Sequence, residues 1–186
     1  MEEPDFPILG TEPLVVEFAN TRYGLDAART DYLETPRLVA QWFAAMGIAS
    51  EPDAARARAL RDAVREVLSA VAQNRSPEPA AVHTVNEFAA AAPSFPVLDW
   101  PENETAHSRW QYTVDGPPAV LGRIAAECVE LVTGPRGVTV RGCPAPDCTL
   151  FFLKNHSRRR WCHSSCGHRD RQARYYRRRR TPEAHS

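Results

Sequence analysis

The spacing of its cysteines constrains this chain more than any other feature. Four of the five cysteines fall within 24 residues, as Cys143-x4-Cys148, a connector of 13 residues, and Cys162-x3-Cys166. Two close pairs, each on a tight turn, can offer four thiolates to one tetrahedral ion at about 2.3 Å, and a short connector lets the pairs meet. Pro144 and Pro146 stiffen the first turn, and Val138-Thr139-Val140 reads as a short strand leading into it. The alternatives are two disulfides or four unrelated reduced thiols. The opening residues lack the basic and then apolar pattern of a secretion leader, and no window approaches the roughly 18 apolar residues of a membrane span. The expectation is therefore a soluble cytoplasmic protein with no membrane partner, in which disulfides are disfavoured and zinc is favoured. With Cys143, Cys148, Cys162 and Cys166 as ligands the ion has no open position, so Zn2+ is structural. It supplies folding energy to about 45 residues too poor in aliphatics to fold alone. His163 and His168 flank the second pair as reserve ligands, and Cys128 reads as a small buried hydrophobe.

The formal net charge is zero, but it is divided between the two ends: residues 136 to 186 hold 13 Lys or Arg against 3 Asp or Glu, and residues 1 to 135 hold 10 against 20. A strongly basic module joined to an acidic one points to a polyanion-binding end and a body with another task.

Helix signals dominate that body. Thr35 and Pro36 open one helix, with Leu38, Val39, Trp42, Phe43 and Met46 as its apolar face and Gly47 as its stop. Ser50-Glu51-Pro52-Asp53 resembles a capping box before a long stripe of Ala57, Leu60, Val64, Val67 and Val71, ending near Asn74. Ser76-Pro77 opens a third helix that buries Val82, Val85, Phe88 and Ala89. Phe95, Val97 and Leu98 read as one strand and Trp110, Tyr112 and Val114 as another, paired across the polar 101–107 loop. A fourth helix follows Gly116-Pro117-Pro118, with Leu121, Ile124, Ala125, Cys128, Leu131 and Val132 as its stripe, and Gly134-Pro135 ends it. Leu14 to Phe18 is strand-like but too short to classify. The fold class is thus mainly α with a small antiparallel β element. A helical regulatory or dimerisation domain at 1–133 precedes a small zinc-finger module at 136–180 and a flexible tail at 181–186.

Around the second cysteine pair stand Arg158, Arg159, Arg160 and Trp161, then Arg169, Arg171 and Arg174, then Arg177 to Arg180. A helix from about Ser164 to Arg179 would turn Cys166, Ala173 and Tyr176 toward the zinc core and leave Arg171, Arg174 and Arg178 on another face. Arginine forks suit phosphate oxygens and guanine edges, so Arg158, Arg159, Arg160, Arg169, Arg171, Arg174 and Arg178 are the candidate nucleic-acid contacts. The bland reading is a solvated charged tail.

The run Arg160-Trp161-Cys162 followed by Cys166-Gly167-His168-Arg169, with Cys143-Pro144 to Cys148 and Phe151-Phe152 upstream, resembles the CGNR zinc finger family. Pro13 to Thr21 and Leu33 to Gly47 resemble the ABATE domain that precedes this finger in bacterial proteins. The resemblance covers nearly the whole chain, with His168 standing where the family has asparagine. It implies a stress-induced transcription regulator.

The function expected is a DNA-binding transcription regulator that contacts double-stranded DNA, with a homodimer and a small-molecule effector as further partners. The alternatives are an RNA-binding accessory factor, through stacking on Trp161, Tyr175 or Tyr176, and a zinc-stabilised protein-interaction module. No enzyme is expected: the chain has no nucleophile motif, Gly-rich phosphate loop or His-Glu-x-x-His. Glu17 and Asn20, polar within an apolar opening segment, are candidates to line a ligand pocket, against the more ordinary role of a cap or turn.

Overall fold

A computed structural model describes residues 5–24 and 29–180, with side chains through residue 177; the tail expected at 181–186 and the side chain of Arg178 lie outside the described residues. The body is built from α1 (Leu14–Ala19), α2 (Pro36–Ala45), α3 (Ala54–Ala72), α4 (Pro79–Ala91) and α5 (Pro117–Thr133), with small antiparallel ribbons between them. The fold is mainly helical, as the stripes predict.

The unclassified Leu14–Phe18 stretch is helical. Every residue from Val15 to Ala19 is buried, so α1 has no solvated face to impose a 3.6-residue pattern, and its apolar run imitates a strand. The Pro13 carbonyl starts the helix by accepting from the N–H groups of Val16 and Glu17 at 2.9 and 3.1 Å. α2 begins as expected: Thr35 Oγ1 accepts from the Leu38 N–H at 3.2 Å and Pro36 fills the first position. Gly47, at φ +72°, carries the chain out of it. Val39, Trp42 and Phe43 are its buried face, and the Trp42 and Phe43 rings meet edge-on at 4.9 Å.

The cap of α3 is Asp53, whose carboxylate accepts from the Arg56 N–H at 2.9 Å, rather than Ser50. Pro52 disfavours a helical Glu51, so the helix starts after it. On α4 the buried positions are Ala81 and Val85, with Phe88 and Ala89 partly covered; Val82, expected on that face, is exposed. The predicted hairpin forms, β3 (Ser94–Asp99) pairing antiparallel with β4 (His107–Tyr112). α5 buries Leu121, Ile124, Ala125, Cys128 and Leu131. Gly122 lies against the end of α4, where an added Cβ would stand 2.5 Å from Ala92 Cβ. Burial pushes the Cys128 thiol up to about 12, which leaves it a packing group.

A two-stranded ribbon that the sequence did not suggest, β1 (Arg22–Tyr23) with β2 (Thr30–Asp31), sits beside α3. Its Asp31 takes both Nη atoms of the fully buried Arg61 at 2.7 and 2.8 Å, and Asp62 takes Nε at 2.7 Å. A charge buried this deeply is tolerated because its whole guanidinium fork is paired.

The C-terminal segment is joined to this body by a shared core. A single 3-10 turn, Gly137–Thr139, replaces the start of the expected strand, which begins only at Val140: β5 (Val140–Gly142) pairs antiparallel with β6 (Phe151–Leu153). Strand β6 is buried on both faces. Phe151 and Leu153 enter the large core with α1, α3 and α5, and Phe152 faces the other way into a small cluster with Cys143, Cys162 and Cys166. The basic helix α6 (Ser164–Arg180) is the last described element.

Candidate metal centre and nucleic-acid interface

The two cysteine pairs arrive on different structures. Cys143 and Cys148 sit in the turn between β5 and β6, where the Cys143 N–H donates to the Leu150 carbonyl at 2.8 Å and that of Cys148 to the Ala145 carbonyl at 3.2 Å. Asp147, at φ +58°, makes the reversal that brings the second thiol back beside the first. Cys162 precedes α6 and Cys166 lies in its first turn, four residues on and so on the same side. Gly167 follows because the Trp161 ring closes over it: a Cβ there would lie 3.2 Å from ring carbon Cε3.

The four sulfur atoms all lie within 4.8 Å of one another. The Cys148–Cys162, Cys162–Cys166 and Cys148–Cys166 separations are 3.7, 3.5 and 3.8 Å. A tetrahedral zinc with bonds of about 2.3 Å sets sulfur–sulfur edges near 3.8 Å, which these three separations match. All four cysteines are free thiols, and these separations are far longer than the roughly 2.05 Å of an S–S bond. Crowding splits the thiols: hydrogen bonding with Cys148 and Cys162 holds Cys143 low, while Cys143 pushes Cys148 up to about 12 and, with Cys148, pushes Cys162 up. Four thiols this close ionise together only against a cation. His163 and His168 are not in the cluster; His163 Nδ1 meets Ser165 Oγ at 2.8 Å, and His168 is exposed.

Beyond the sulfurs, the centre is tied to the body. The outer edge of β6 has no neighbouring strand among the described residues, and side chains take the place of one. Asn20, fully buried at the C-terminal cap of α1, accepts from the Phe151 N–H at 2.8 Å and donates to the Phe151 carbonyl at 3.0 Å. Glu12 accepts from the Leu153 N–H at 2.8 Å, and Arg159 donates to the Leu153 carbonyl at 3.1 Å. Glu12 and Arg159 also pair with each other, and the guanidinium lies over the Phe152 ring. Arg65 of α3 reaches across to the Thr149 carbonyl at 3.1 Å while holding that of Ala19 at 2.6 Å. Burial, with the Arg22 and Arg61 charges nearby, lowers it to about 10.

Residues 12–135 match the model of the ABATE family, described as "Putative stress-induced transcription regulator", and residues 139–179 match that of the CGNR zinc finger. The chain belongs to the ABATE family. Its CGNR finger holds structural zinc on Cys143, Cys148, Cys162 and Cys166. No curated protein matches the chain.

Within the CGNR finger the arginines divide into two groups. Arg169 is half-buried and turned inward: one Nη donates to Cys166 Sγ at 3.0 Å and the other to the Tyr23 hydroxyl at 3.2 Å, which joins a zinc thiolate to the ABATE body. Arg159 is likewise committed to Glu12, Leu153 and the Cys162 carbonyl. Arg158, Arg160 and Arg171 are exposed, and so is Arg174, which pairs with Asp170 at 3.1 Å one turn back. Glu17 and Asn20, the candidate pocket residues, have their polar atoms in use. The Glu17 carboxylate accepts from the N–H groups of Leu9 and Gly10 at 3.0 and 2.7 Å, and Asn20 is spent on Phe151. Their places are those of a loop clamp and a strand mimic. Ala173 is half-buried, but Tyr176, expected to face the zinc core, is 64% exposed, because α6 has by then left the body behind.

Proposed function

We propose that this ABATE protein is a transcription regulator that docks on double-stranded DNA through α6 and the exposed arginines around its zinc centre, and that it performs no catalysis. One observation carries this reading. From Arg171 to Arg177 every described residue of α6 except Ala173 is exposed, so the helix presents Arg171, Arg174 and Arg177 to solvent at successive spacings of three. Like charges at that spacing repel along a helix, and Arg174 pairs with Asp170 one turn back. Phosphates laid along the helix would relieve the repulsion, and the zinc-fixed first turn holds the basic face in one orientation while they do so. Arg158 and Arg160, before Cys162, extend the positive surface beyond the helix. Binding of this kind is dominated by counterion release and weakens steeply with salt.

A second reading has its own support. Tyr175 and Tyr176 are 51% and 64% exposed, a disposition suited to stacking on unpaired bases. Binding of zinc-loaded protein to a genomic fragment library, with RNA and nonspecific DNA as competitors at two salt concentrations, separates the two. Recovery of one shared duplex site that survives both competitors supports the regulator; binding that transfers to RNA overturns it. Arg171→Ala with Arg174→Ala should keep zinc and lower the slope of log affinity against log salt by about 2. An unchanged slope removes these residues from the contact surface.

A further inference from the structure

The four zinc ligands are not equally sheltered. Cys143, Cys162 and Cys166 are 9%, 6% and 3% exposed, whereas Cys148, in the turn between β5 and β6, is only half-buried. A thiol that coordinates zinc is held as the thiolate, which is also the form that attacks electrophiles. The turn therefore brings one nucleophile within reach of solvent and keeps the other three behind it. Cys128 offers no competition, since it is 1% exposed on the packed face of α5 and lies outside the cluster.

The sheltered three differ in what holds their charge. Cys166 Sγ accepts from Arg169 at 3.0 Å, and Cys143 accepts from the backbone N–H groups of Cys162 and Ala145. A hydrogen bond to a thiolate stabilises its charge and lowers its nucleophilicity. Cys148 accepts from the Leu150 N–H as well, so access and not electron density singles it out. Cys162 is placed to answer it. Its sulfur stands 3.7 Å from that of Cys148, and the groups that act on it most strongly are the sulfurs of Cys143 and Cys148 rather than N–H donors.

We infer that the metal centre is a modification site for hydroperoxides, at which Cys148 is oxidised first and Cys162 closes a disulfide with it. Cys148 Sγ attacks one peroxide oxygen: an S–O bond forms, the O–O bond breaks, and hydroxide leaves, so that Cys148 becomes a sulfenic acid. Cys162 Sγ then attacks that sulfur; the S–S bond forms, the S–O bond breaks, and a second hydroxide leaves. The two thiolates have given up two electrons, the peroxide has taken them, and each hydroxide takes a proton from solvent. Two of the four donors are thereby withdrawn, and Cys143 with Cys166 alone is half of the set a structural zinc needs. The disulfide still ties the turn to the residue before α6, so a dithiol reductant restores the site. What is lost in the interval is the rigid four-donor anchor, and with it the fixed orientation of the basic helix.

The test treats the zinc-loaded full chain with limiting hydrogen peroxide, while a chromophoric indicator reads released zinc and peptide mass mapping locates the oxidised cysteines. Zinc should appear in step with one disulfide per chain, between Cys148 and Cys162, and a dithiol with added zinc should restore the starting state. Without peroxide, a limiting dose of a maleimide should label Cys148 before any other cysteine. Arg169→Ala removes the donor on Cys166, whose sulfur is 3.8 Å from that of Cys148, so a Cys148–Cys166 disulfide should then appear beside the first. Should that variant fail to hold zinc, the wild-type map decides the pairing. A centre that keeps its zinc in a large excess of peroxide overturns the proposal. So does a first label away from Cys148, or a disulfide that omits Cys148 or Cys162; a map unchanged in a zinc-loaded Arg169→Ala overturns the choice of Cys162 over Cys166. No readout involves nucleic acid, so failure here leaves the DNA-binding reading as it stands.

Discussion

Replacing Asn20 with Ala tests whether the finger and the body are one cooperative unit. Asn20 is fully buried and meets both backbone groups of Phe151, at 2.8 and 3.0 Å. Alanine leaves a buried N–H and a buried C=O with no partner, and at about 1 to 3 kcal/mol for each unmet group the loss should be about 2 to 6 kcal/mol. For a chain of this size a loss of 1 kcal/mol lowers the melting temperature by about 2 to 4 °C, so the shift should be about 4 to 24 °C. Thermal unfolding of the zinc-loaded protein, followed together by far-ultraviolet circular dichroism and by a chromophoric zinc indicator, reads both halves. The two signals should move down together, because Phe151 and Leu153 belong to the core of α1, α3 and α5. A shift of less than about 2 °C, or earlier zinc release with the helical signal unmoved, would refute the coupling. Asn20→Asp should cost at least as much, since it sets a carboxylate oxygen against the Phe151 carbonyl.

Other outcomes follow from the same contacts. Cys162→Ser should release zinc and unfold the segment after residue 136, and through Val140, Phe151 and Leu153 it should also lower the melting temperature of the helical body. Arg169→Ala removes the hydrogen bond to Cys166 Sγ and should weaken zinc affinity by about 10- to 100-fold in a chelator competition, with the four thiolates still in place. The carboxyl of Glu127 is held above its ordinary range by burial, although it accepts from the Val15 N–H at 3.0 Å. The folded state therefore binds that proton more tightly than the unfolded chain, and this group favours folding progressively as pH falls from above its raised value toward the ordinary 4.5. Glu127→Gln should remove that contribution, and denaturation midpoints measured across this range show whether the wild-type slope is lost.

The metal centre was legible because coordination fixes both residue type and spacing, and little else explains four cysteines arranged as two close pairs. The helices of the body were legible wherever one face is wet. Leu14–Phe18 was not, because total burial erases the periodicity on which the reading depends, and Val82 was misplaced because two positions of one stripe can compete for a single buried slot. The roles of Arg159 and Arg169 were harder to see. A guanidinium fork serves a carboxylate, a carbonyl or a thiolate as well as it serves a phosphate, so composition does not separate an inward arginine from an outward one. One signal was present: Arg169 lies three residues after Cys166, hence on the ligand's side of the helix, whereas Arg171 does not. Glu12, Tyr23 and Asn20 act at separations of more than 130 residues, which no local pattern records.

The side-chain strand along β6 also sets an order of events during synthesis. Glu12 and Asn20 leave the ribosome more than a hundred residues ahead of the backbone they serve. Throughout that interval the carboxylate and the amide that flank α1 wait for the backbone groups they bond in the fold, and α1 cannot settle into its buried place until Phe151 and Leu153 have emerged and zinc has organised the turn beside them. α1 is thus among the last of the described helices to be fixed. A chain that lacks zinc would keep α1 open as well as the finger unformed.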